Sequence, residues 1–293
     1  MDERHLRYFV AVAENLSFTR AAERLHTAQP SLSAQVRNLE TAIGTPLFRR
    51  DTRHVELTEA GDVFLQEAKT ILRYMHHAVI RARQTARTAA GHITIGSIVG
   101  AEGRILSRVL SALRIRCPGI EVTLRSLSSP QQIEALQNEE INVGFLRGPV
   151  DDPAIVTEVV AHDSVLAILP CDHPMAKLRR VPIAALAKEQ LVQVSRAEAP
   201  AIHDITNEIA QRAGVQFHTT IETDNVLATV NAVAASLGFS LLPDYISGVL
   251  PASVVAKPLD IDPPPLVDLL VAYRKTDSLP ALTCLLSLLR EKK

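Results

Sequence analysis

The chain has 293 residues, of which 47% are hydrophobic and 22% charged, and its net charge at pH 7 is −1. This length allows about two domains with a core each, and the composition excludes a disordered or collagen-like chain. No apolar run reaches the roughly 20 residues of a membrane span, and Met1 leads directly into the charged sequence DERHLR without a signal-peptide core. We therefore expect a cytoplasmic globular protein that makes no contact with a membrane.

The charge is unevenly distributed along the chain. Residues 1–90 contain 13 Lys and Arg against 10 Asp and Glu, whereas residues 91–293 contain 18 against 22. All eight basic residues before Thr58 are arginine, whose planar guanidinium matches the geometry of phosphate and guanine. Because the rest of the chain also prefers arginine, this pattern is compatible with nucleic-acid binding without requiring it.

The N-terminal segment predicts a bundle of three helices. The first helix presents one apolar face, formed by Leu6, Phe9, Val10, Ala13 and Leu16. A second helix begins at Ser17, whose hydroxyl can cap it. A third begins near Pro30, which is tolerated in a first helical turn, and ends at Gly44.

The third predicted helix has two different faces. Leu32, Val36, Leu39 and Ile43 recur at helical spacing and should face a core. The opposite face has small and hydroxyl-bearing side chains with one arginine, which suits the major groove of DNA. The DNA contacts predicted in this hairpin are Thr19, Gln29, Pro30, Ser31, Ser33 and Arg37. An ordinary helical hairpin on a protein surface remains the alternative.

A basic stretch, LFRRDTRHVELT, follows the hairpin at residues 47–58. It can form a two-stranded ribbon beside the recognition helix, and Arg49, Arg50 and Arg53 would then contact DNA as a wing. A solvated loop is the alternative reading of this charge cluster.

Thr58 can cap a long helix that continues to Arg87 without a proline. Its apolar residues alternate at spacings of four and three, which is a heptad seam and predicts pairing with the same helix of a second chain. The predicted dimerisation residues are Phe64, Ala68, Ile71, Met75, Ala78 and Ala82. Packing of this helix against the chain's own C-terminal part is the alternative. His76 and His77 lie on different sides of the helix, so we expect no metal site there.

From about Gly91 the pattern changes to short apolar strands that alternate with helices, which indicates an α/β region with a mainly parallel sheet. Two such sets, with two crossings between them, predict two lobes around a hinged cleft. Ligands of open α/β sheets bind beyond the carboxyl ends of the strands. The effector-binding residues predicted on this basis are Ser97, Ser128, Ser129, Arg147, Ser195 and Arg196.

These residues would form a carboxylate receptor, in which serine hydroxyls and backbone N–H groups donate hydrogen bonds and Arg147 supplies the charge. Plain helix caps are the alternative for each serine, and a surface salt bridge is the alternative for Arg147.

The remaining chemistry is sparse. Cys117, Cys171 and Cys284 are odd in number and form no CxxC pair, so we expect buried free thiols without a disulfide or a zinc site. GxSxG, GxxxxGK[ST] and HExxH motifs are absent from the sequence. We therefore expect no enzyme, no cofactor and no metal.

The sequence resembles the LysR-type transcriptional regulators over essentially its full length. The residues that carry this resemblance are RHLRYFVAVAE at 4–14, FTRAAERLHTAQPSLSAQVRNLE at 18–40, LTEAG at 57–61, LPCDHPMA at 169–176 and ASLGFSLLP at 235–243. Within the family, the N-terminal third is most similar to regulators of aromatic-acid catabolism. The resemblance implies an α/β fold with an α-rich N-terminal winged helix-turn-helix, a long dimerising linker helix, and a two-lobed effector domain like periplasmic binding proteins.

The resemblance also implies roles for individual residues. DNA contacts would fall at Gln29, Pro30, Ser31, Ser33 and Arg53, and the effector cleft would include Ser97, Ser128 and Arg147. Two residues depart from the family pattern. Ala34 replaces a usual arginine on the outward helix face, and Asn142 replaces a common aspartate before a strand.

The expected organisation is a DNA-binding domain at 1–58, a linker helix at 59–90 and an effector domain at 91–293. Lobe I would comprise about 91–161 and 267–293, and lobe II about 162–266. We expect a regulator that binds double-stranded DNA and a small effector, forms a homodimer or homotetramer and contacts RNA polymerase. A binding or transport protein, an enzyme working in the cleft and a redox sensor using the three thiols are the alternatives.

Overall fold

The computed structural model describes residues 1–50, 55–88, 91–98 and 105–291. The chain divides into two compact units, residues 1–83 and 84–293. Within the described ranges, no helix combines the length and the apolar character that crossing a bilayer requires.

Three short helices form the core of the first unit. They are α1 (Glu3–Asn15), α2 (Phe18–Arg24) and α3 (Gln29–Ile43). The Ser17 side chain accepts a hydrogen bond from the backbone N–H of Arg20 and so caps α2, and Gly44 ends α3 in a left-handed conformation, as the sequence predicts. Leu32, Val36 and Leu39 are fully buried against Phe9 and its neighbours.

Two residues of the predicted apolar faces lie outside this core. Ile43 is 36% exposed and Leu16 is 53% exposed. Both occupy the C-terminal ends of their helices, where the chain turns away from the bundle, and Leu16 is itself a left-handed C-cap. Helical periodicity identifies the buried face but does not show where along a helix the packing ends.

A ribbon of two strands follows the helices, formed by β1 (Phe48–Arg50) and β2 (Val55–Leu57). The strands are antiparallel, with Arg49 opposite Glu56. The backbone N–H groups of Leu47 and Phe48 both donate to Oε1 of Glu40 on α3, at 2.9 and 3.1 Å. The ribbon is therefore fixed to α3 by a charged acceptor.

The long helix α4 extends over Glu59–Thr88. The Thr58 hydroxyl accepts a hydrogen bond from the N–H of Gly61 at 2.9 Å and donates one to the Pro46 carbonyl, so it caps α4 as expected. A Cβ atom at Gly61 would lie 2.1 Å from the Leu47 carbonyl oxygen. The LTEAG sequence therefore allows α4 to start in direct contact with the backbone that enters the ribbon.

The second unit contains nine described strands and six described α-helices. The strands are β3 (His92–Ser97), β4 (Glu121–Ser126), β5 (Val143–Leu146), β6 (Ile155–Pro170), β7 (Gln190–Val194), β8 (His218–Thr223), β9 (Ser240–Pro243), β10 (Val254–Pro258) and β11 (Leu266–Arg274). The helices are α5 (Ser107–Arg116), α6 (Ser129–Gln137), α7 (Ile183–Leu186), α8 (Pro200–Ala213), α9 (Val226–Ala234) and α10 (Pro280–Arg290).

The main sheet has the order β10-β6-β11-β5-β3-β4, with β9 also paired to β6, and β7 and β8 form a separate parallel pair. Only the β3 pairings within the main sheet are parallel, because β6 and β11 run antiparallel to their neighbours. The expectation of a mainly parallel sheet is therefore wrong.

Strands β6 and β11 connect two lobes. Lobe I packs α5 and α10 on β3, β5 and β11, and lobe II packs α8 and α9 on the second half of β6 with β7 and β9. Asn142 lies just before β5. Its Oδ1 accepts a hydrogen bond from the N–H of Thr94 at 2.9 Å, so this departure from the family pattern joins β5 to β3.

The cysteine prediction is wrong for two reasons. Cys117, after α5, and Cys284, on α10, form a disulfide, although 167 residues separate them in the sequence. The remaining thiol, Cys171, is exposed rather than buried. Spacing could not reveal the pair, because packing of α5 beside α10 is a tertiary contact.

Candidate functional site

The outward face of α3 is polar and composed of short side chains. Gln29, Pro30, Ser31 and Ala34 are exposed, and Ser33 is half-buried. Thr19 is exposed on α2. This face therefore allows close approach of a groove and offers hydroxyl and amide groups for hydrogen bonds.

Arg37 lies along this face. Its guanidinium donates to the backbone carbonyl and the hydroxyl of Ser33, both at 3.4 Å. These bonds are long, and the Arg37 side chain is exposed. Arg37 could therefore turn toward a phosphate, since it would give up only two weak hydrogen bonds to Ser33.

The ribbon adds further positive charge beside α3. Arg49 is exposed on β1. Arg50 ends the same strand, and its side chain is not described. Arg53 lies outside the described residues, so its predicted contact with DNA stays a prediction.

The second unit contains a cleft of about 310 Å³ between the lobes. Lobe I contributes residues around the N-terminus of α6 and the end of β5, and lobe II contributes residues around the N-termini of α8 and α9. The lining residues are Ile98, Ser126, Leu127, Ser128, Ser129, Gln131, Arg147, Val194, Glu198, Ala199, Ala201, Ile202, Asp224, Asn225, Val226 and Tyr245.

Ser128 and Ser129 line the cleft, as predicted, and both have structural roles. The Ser128 hydroxyl accepts a hydrogen bond from the N–H of Gln131, whose side-chain oxygen accepts one in return from the N–H of Ser128. The buried Ser129 hydroxyl accepts a hydrogen bond from the N–H of Arg147 at 3.0 Å. These bonds hold the α6 N-terminus at the end of β5.

Arg147 also lines the cleft, but its charge is already compensated. The guanidinium donates to the Asp163 carboxylate at 2.6 Å and to the Val267 carbonyl at 3.2 Å, and it lies 5.1 Å from the centre of the Tyr245 ring. The buried Nε–H of Arg147 has no hydrogen-bond partner. Asp163 on β6 therefore supplies a counter-charge within the chain, and the role of Arg147 as the charge partner of a bound carboxylate stays a prediction.

Three predicted residues do not line the cleft. Ser97 is completely buried, although it ends a strand of lobe I. Ser195 is half-buried after β7, and Arg196 is exposed and paired with Asp204 at 3.0 Å. Arg196 therefore forms a surface salt bridge and does not reach the cleft.

Several lining residues were missed by the sequence reasoning. Glu198 and Asp224 lie in a turn and a bend, and Tyr245 lies in a short 3-10 helix (Asp244–Val249); none of them belongs to a motif. Asn225 caps α9 by accepting a hydrogen bond from the N–H of Ala228, and its place directly before an apolar helical pattern was a usable signal. Burial raises the pKa of the Tyr245 hydroxyl to about 12.

The heptad seam of the long helix α4 divides into two parts. Ala68 is fully buried and Phe64 half-buried in the core of the first unit, where the Phe64 ring lies 5.1 Å from the Phe9 ring. These two side chains therefore pack within their own chain and are not available for pairing with a second chain. Ile71 and Met75 are 38% and 42% exposed. Ala78 is exposed as well, and the Ala82 side chain is not described.

The sequence matches two family models that together cover most of the chain. Residues 3–62 match the model described as a bacterial regulatory helix-turn-helix protein of the lysR family, and residues 86–293 match the LysR substrate binding domain. The chain belongs to the LysR family of bacterial transcriptional regulators. It is thus a DNA-binding regulator with an effector-binding domain, and members of this family are regulators rather than enzymes.

Relatives of this LysR-family chain match it over nearly the full length. The Hca operon transcriptional activator HcaR of Escherichia coli (strain K12) is 37% identical over 100% of this chain and 98% of that protein. Full-length BenM has a TM-score of 0.61 and 27% identity, over 99% of this chain and 96% of that one. Full-length CbnR in complex with its target DNA has a TM-score of 0.65 and 25% identity, over 99% of both chains.

Proposed function

We propose that this LysR-family regulator recognises an operator through the exposed face of α3 and the β1–β2 ribbon. The observation that supports this proposal is the exposed, small and polar face of α3 beside a ribbon whose strand β1 carries arginine. Arg37 and Arg49 would neutralise phosphates, and Gln29, Ser31 and Ser33 would reach base edges. Small residues such as Ala34 would let the helix enter the major groove, while the wing would supply charge that the α3 face lacks.

The effector in this proposal is a small carboxylate, such as an aromatic acid, bound in the cleft. The N-terminus of α6 opens onto the cleft beside Arg147, and the positive end of its helix dipole favours an anion. Apolar residues, including Leu127, Ile202 and Val226, would hold a ring. Arg147 would donate its remaining Nε–H while staying paired with Asp163.

The regulator would act in the cytoplasm as a homodimer or homotetramer and would contact RNA polymerase when bound upstream of a promoter. The exposed Ile71 and Met75 on α4 support pairing through this helix, because large apolar side chains at heptad spacing are stabilised when a second helix buries them. The functional division would be 1–58, 59–90 and 91–293. An effector would act by favouring one relative placement of the DNA-binding heads over another.

The proposal is tested by footprinting the purified full-length chain on the DNA upstream of its own gene, at fixed salt, with and without a panel of aromatic acids. We expect protection of specific sites that one acid alters. Arg37→Ala and Arg49→Ala should each weaken binding and reduce the slope of its salt dependence by about 1. Arg179→Ala, at an exposed position of lobe II, is the matched control. Equal affinity for unrelated DNA would contradict the proposal.

A further inference from the structure

The two walls of the cleft have opposite polarity. Lobe I contributes Ser126, Ser128, Ser129, Gln131 and Arg147. Among the described lining residues, Arg147 is the only basic one. Lobe II contributes the carboxylates of Glu198 and Asp224, together with Asn225 and Tyr245. A ligand that touches both walls therefore meets hydrogen-bond donors on one side and anionic acceptors on the other.

The two carboxylates of the lobe II wall differ from Arg147 in their pairing. Within the described part of the chain, neither Glu198 nor Asp224 is paired with a basic side chain, and Arg196 is paired with Asp204 instead. Asp224 accepts a hydrogen bond from the neutral amide of Asn225 at 2.7 Å. The lobe II wall therefore retains negative charge that none of the described lining residues compensates.

The lobe I wall is different, because its charge is balanced and its donors are only partly used. Arg147 is neutralised by Asp163, which does not line the cleft, and the Nε–H of Arg147 is buried without an acceptor. A ligand oxygen at this wall would satisfy that donor and would lie at the positive end of the α6 dipole. The same oxygen beside Glu198 or Asp224 would be repelled.

We propose that the effector is bifunctional, with a carboxylate at the lobe I wall and hydroxyl or amino donors, carried on the far side of its apolar body, at Glu198 and Asp224. This inference rests on the proposed function and specifies the substrate class of the same cleft. A simple acid engages one wall only. A hydroxylated or amino-substituted acid engages both and so favours the arrangement in which the lobes are held together.

The test uses isothermal titration calorimetry on the full-length chain with benzoate, 3- and 4-hydroxybenzoate, 4-methylbenzoate and 4-hydroxybenzyl alcohol. The methyl and hydroxyl groups are similar in size, so a difference in affinity between them reports hydrogen-bond donation by the hydroxyl and not the volume of the substituent. The tighter hydroxybenzoate should bind at least about tenfold more tightly than 4-methylbenzoate, since hydrogen bonds to ionised acceptors are strong. This preference should fall to within about twofold in Glu198→Gln/Asp224→Asn.

Glu222→Gln is the matched control, because Glu222 is exposed on β8 of the same lobe and does not line the cleft. It should keep the full preference, and thermal melts should show that all variants are folded. Equal affinity for 4-methylbenzoate and the hydroxybenzoates, with altered DNA protection by either, would overturn this inference and leave the acid-responsive regulator intact. Binding of 4-hydroxybenzyl alcohol without binding of any acid would overturn both.

Discussion

The guanidinium of Arg147 donates a hydrogen bond to the carboxylate of Asp163 at 2.6 Å, and the two side chains are only 4% and 1% exposed. Arg147 follows β5 and Asp163 lies on β6, while the Val267 carbonyl that also accepts from Arg147 lies on β11. The pair therefore joins lobe I to both strands that lead into lobe II. A cleft residue is thus also a structural residue of the connection between the lobes.

Asp163→Asn should destabilise the second unit strongly. The substitution leaves the Arg147 charge buried without a counter-charge, and loss of one partner of a buried pair costs about 3–5 kcal/mol. The free energy of unfolding from urea titrations of the full chain measures this cost. Asp172→Asn, at an exposed position of lobe II, is the control and should change stability by less than about 0.5 kcal/mol. A loss below about 1 kcal/mol in Asp163→Asn would show that the buried pair contributes little.

The buried Tyr245 hydroxyl should make the folded chain less stable at alkaline pH. Burial raises its pKa from 10.0 to about 12, so the folded chain holds this proton more tightly than the unfolded chain. The resulting stability is fully present below pH 10 and is lost as the pH rises toward 12, at about 1.4 kcal/mol per unit of pH. Urea unfolding at pH 8 and pH 11 should therefore show a smaller decline for Tyr245→Phe than for the unaltered chain. An identical decline would contradict the shift.

The parts of the fold that follow from local sequence were predicted well. The caps at Ser17 and Thr58, the end of α3 at Gly44 and the buried stripe of α3 each depend on residues within one or two helical turns. Such signals act over short distances and need no knowledge of the partner surface. The alternation of strands and helices in the second unit was visible for the same reason.

The cleft was predicted only in part, because its chemistry depends on contacts between distant segments. Ser128, Ser129 and Arg147 were found since they follow strands, but the pairing of Arg147 with Asp163 depends on how β6 lies in the sheet. The long antiparallel β6 contains polar residues in its middle, so the apolar pattern that predicts a strand does not extend over its full length. Cys117 and Cys284 were likewise brought together by helix packing that no spacing rule describes.

Gly61→Ala should destabilise the first unit even though alanine is the better helix former. The added Cβ would lie 2.1 Å from the Leu47 carbonyl oxygen and 2.9 Å from a Leu57 methyl group, so α4 or the ribbon must move. We expect a loss of about 1–3 kcal/mol and weaker DNA binding, measured by calorimetry of the full chain and by gel shift. Gly119→Ala, where a Cβ meets open space, is the control. Unchanged melting of Gly61→Ala would contradict the close approach.

The exposed half of the α4 seam predicts the oligomeric state. Ile71 and Met75 lie four residues apart, at successive positions of the heptad seam, and expose large apolar surfaces. Phe64 and Ala68, in contrast, pack in the chain's own core. Ile71→Glu/Met75→Glu should therefore weaken self-association, because two buried charges in a helix pair are costly without partners. Sedimentation equilibrium should show a dissociation constant raised at least about a hundredfold, with helix content unchanged.

Val63→Glu is the matched control for this seam. Val63 is also apolar and is 67% exposed on α4, but it lies outside the heptad positions. It should leave self-association unaltered. If the double variant associates as tightly as the unaltered chain, α4 does not pair through Ile71 and Met75, and other surfaces must hold copies of this chain together.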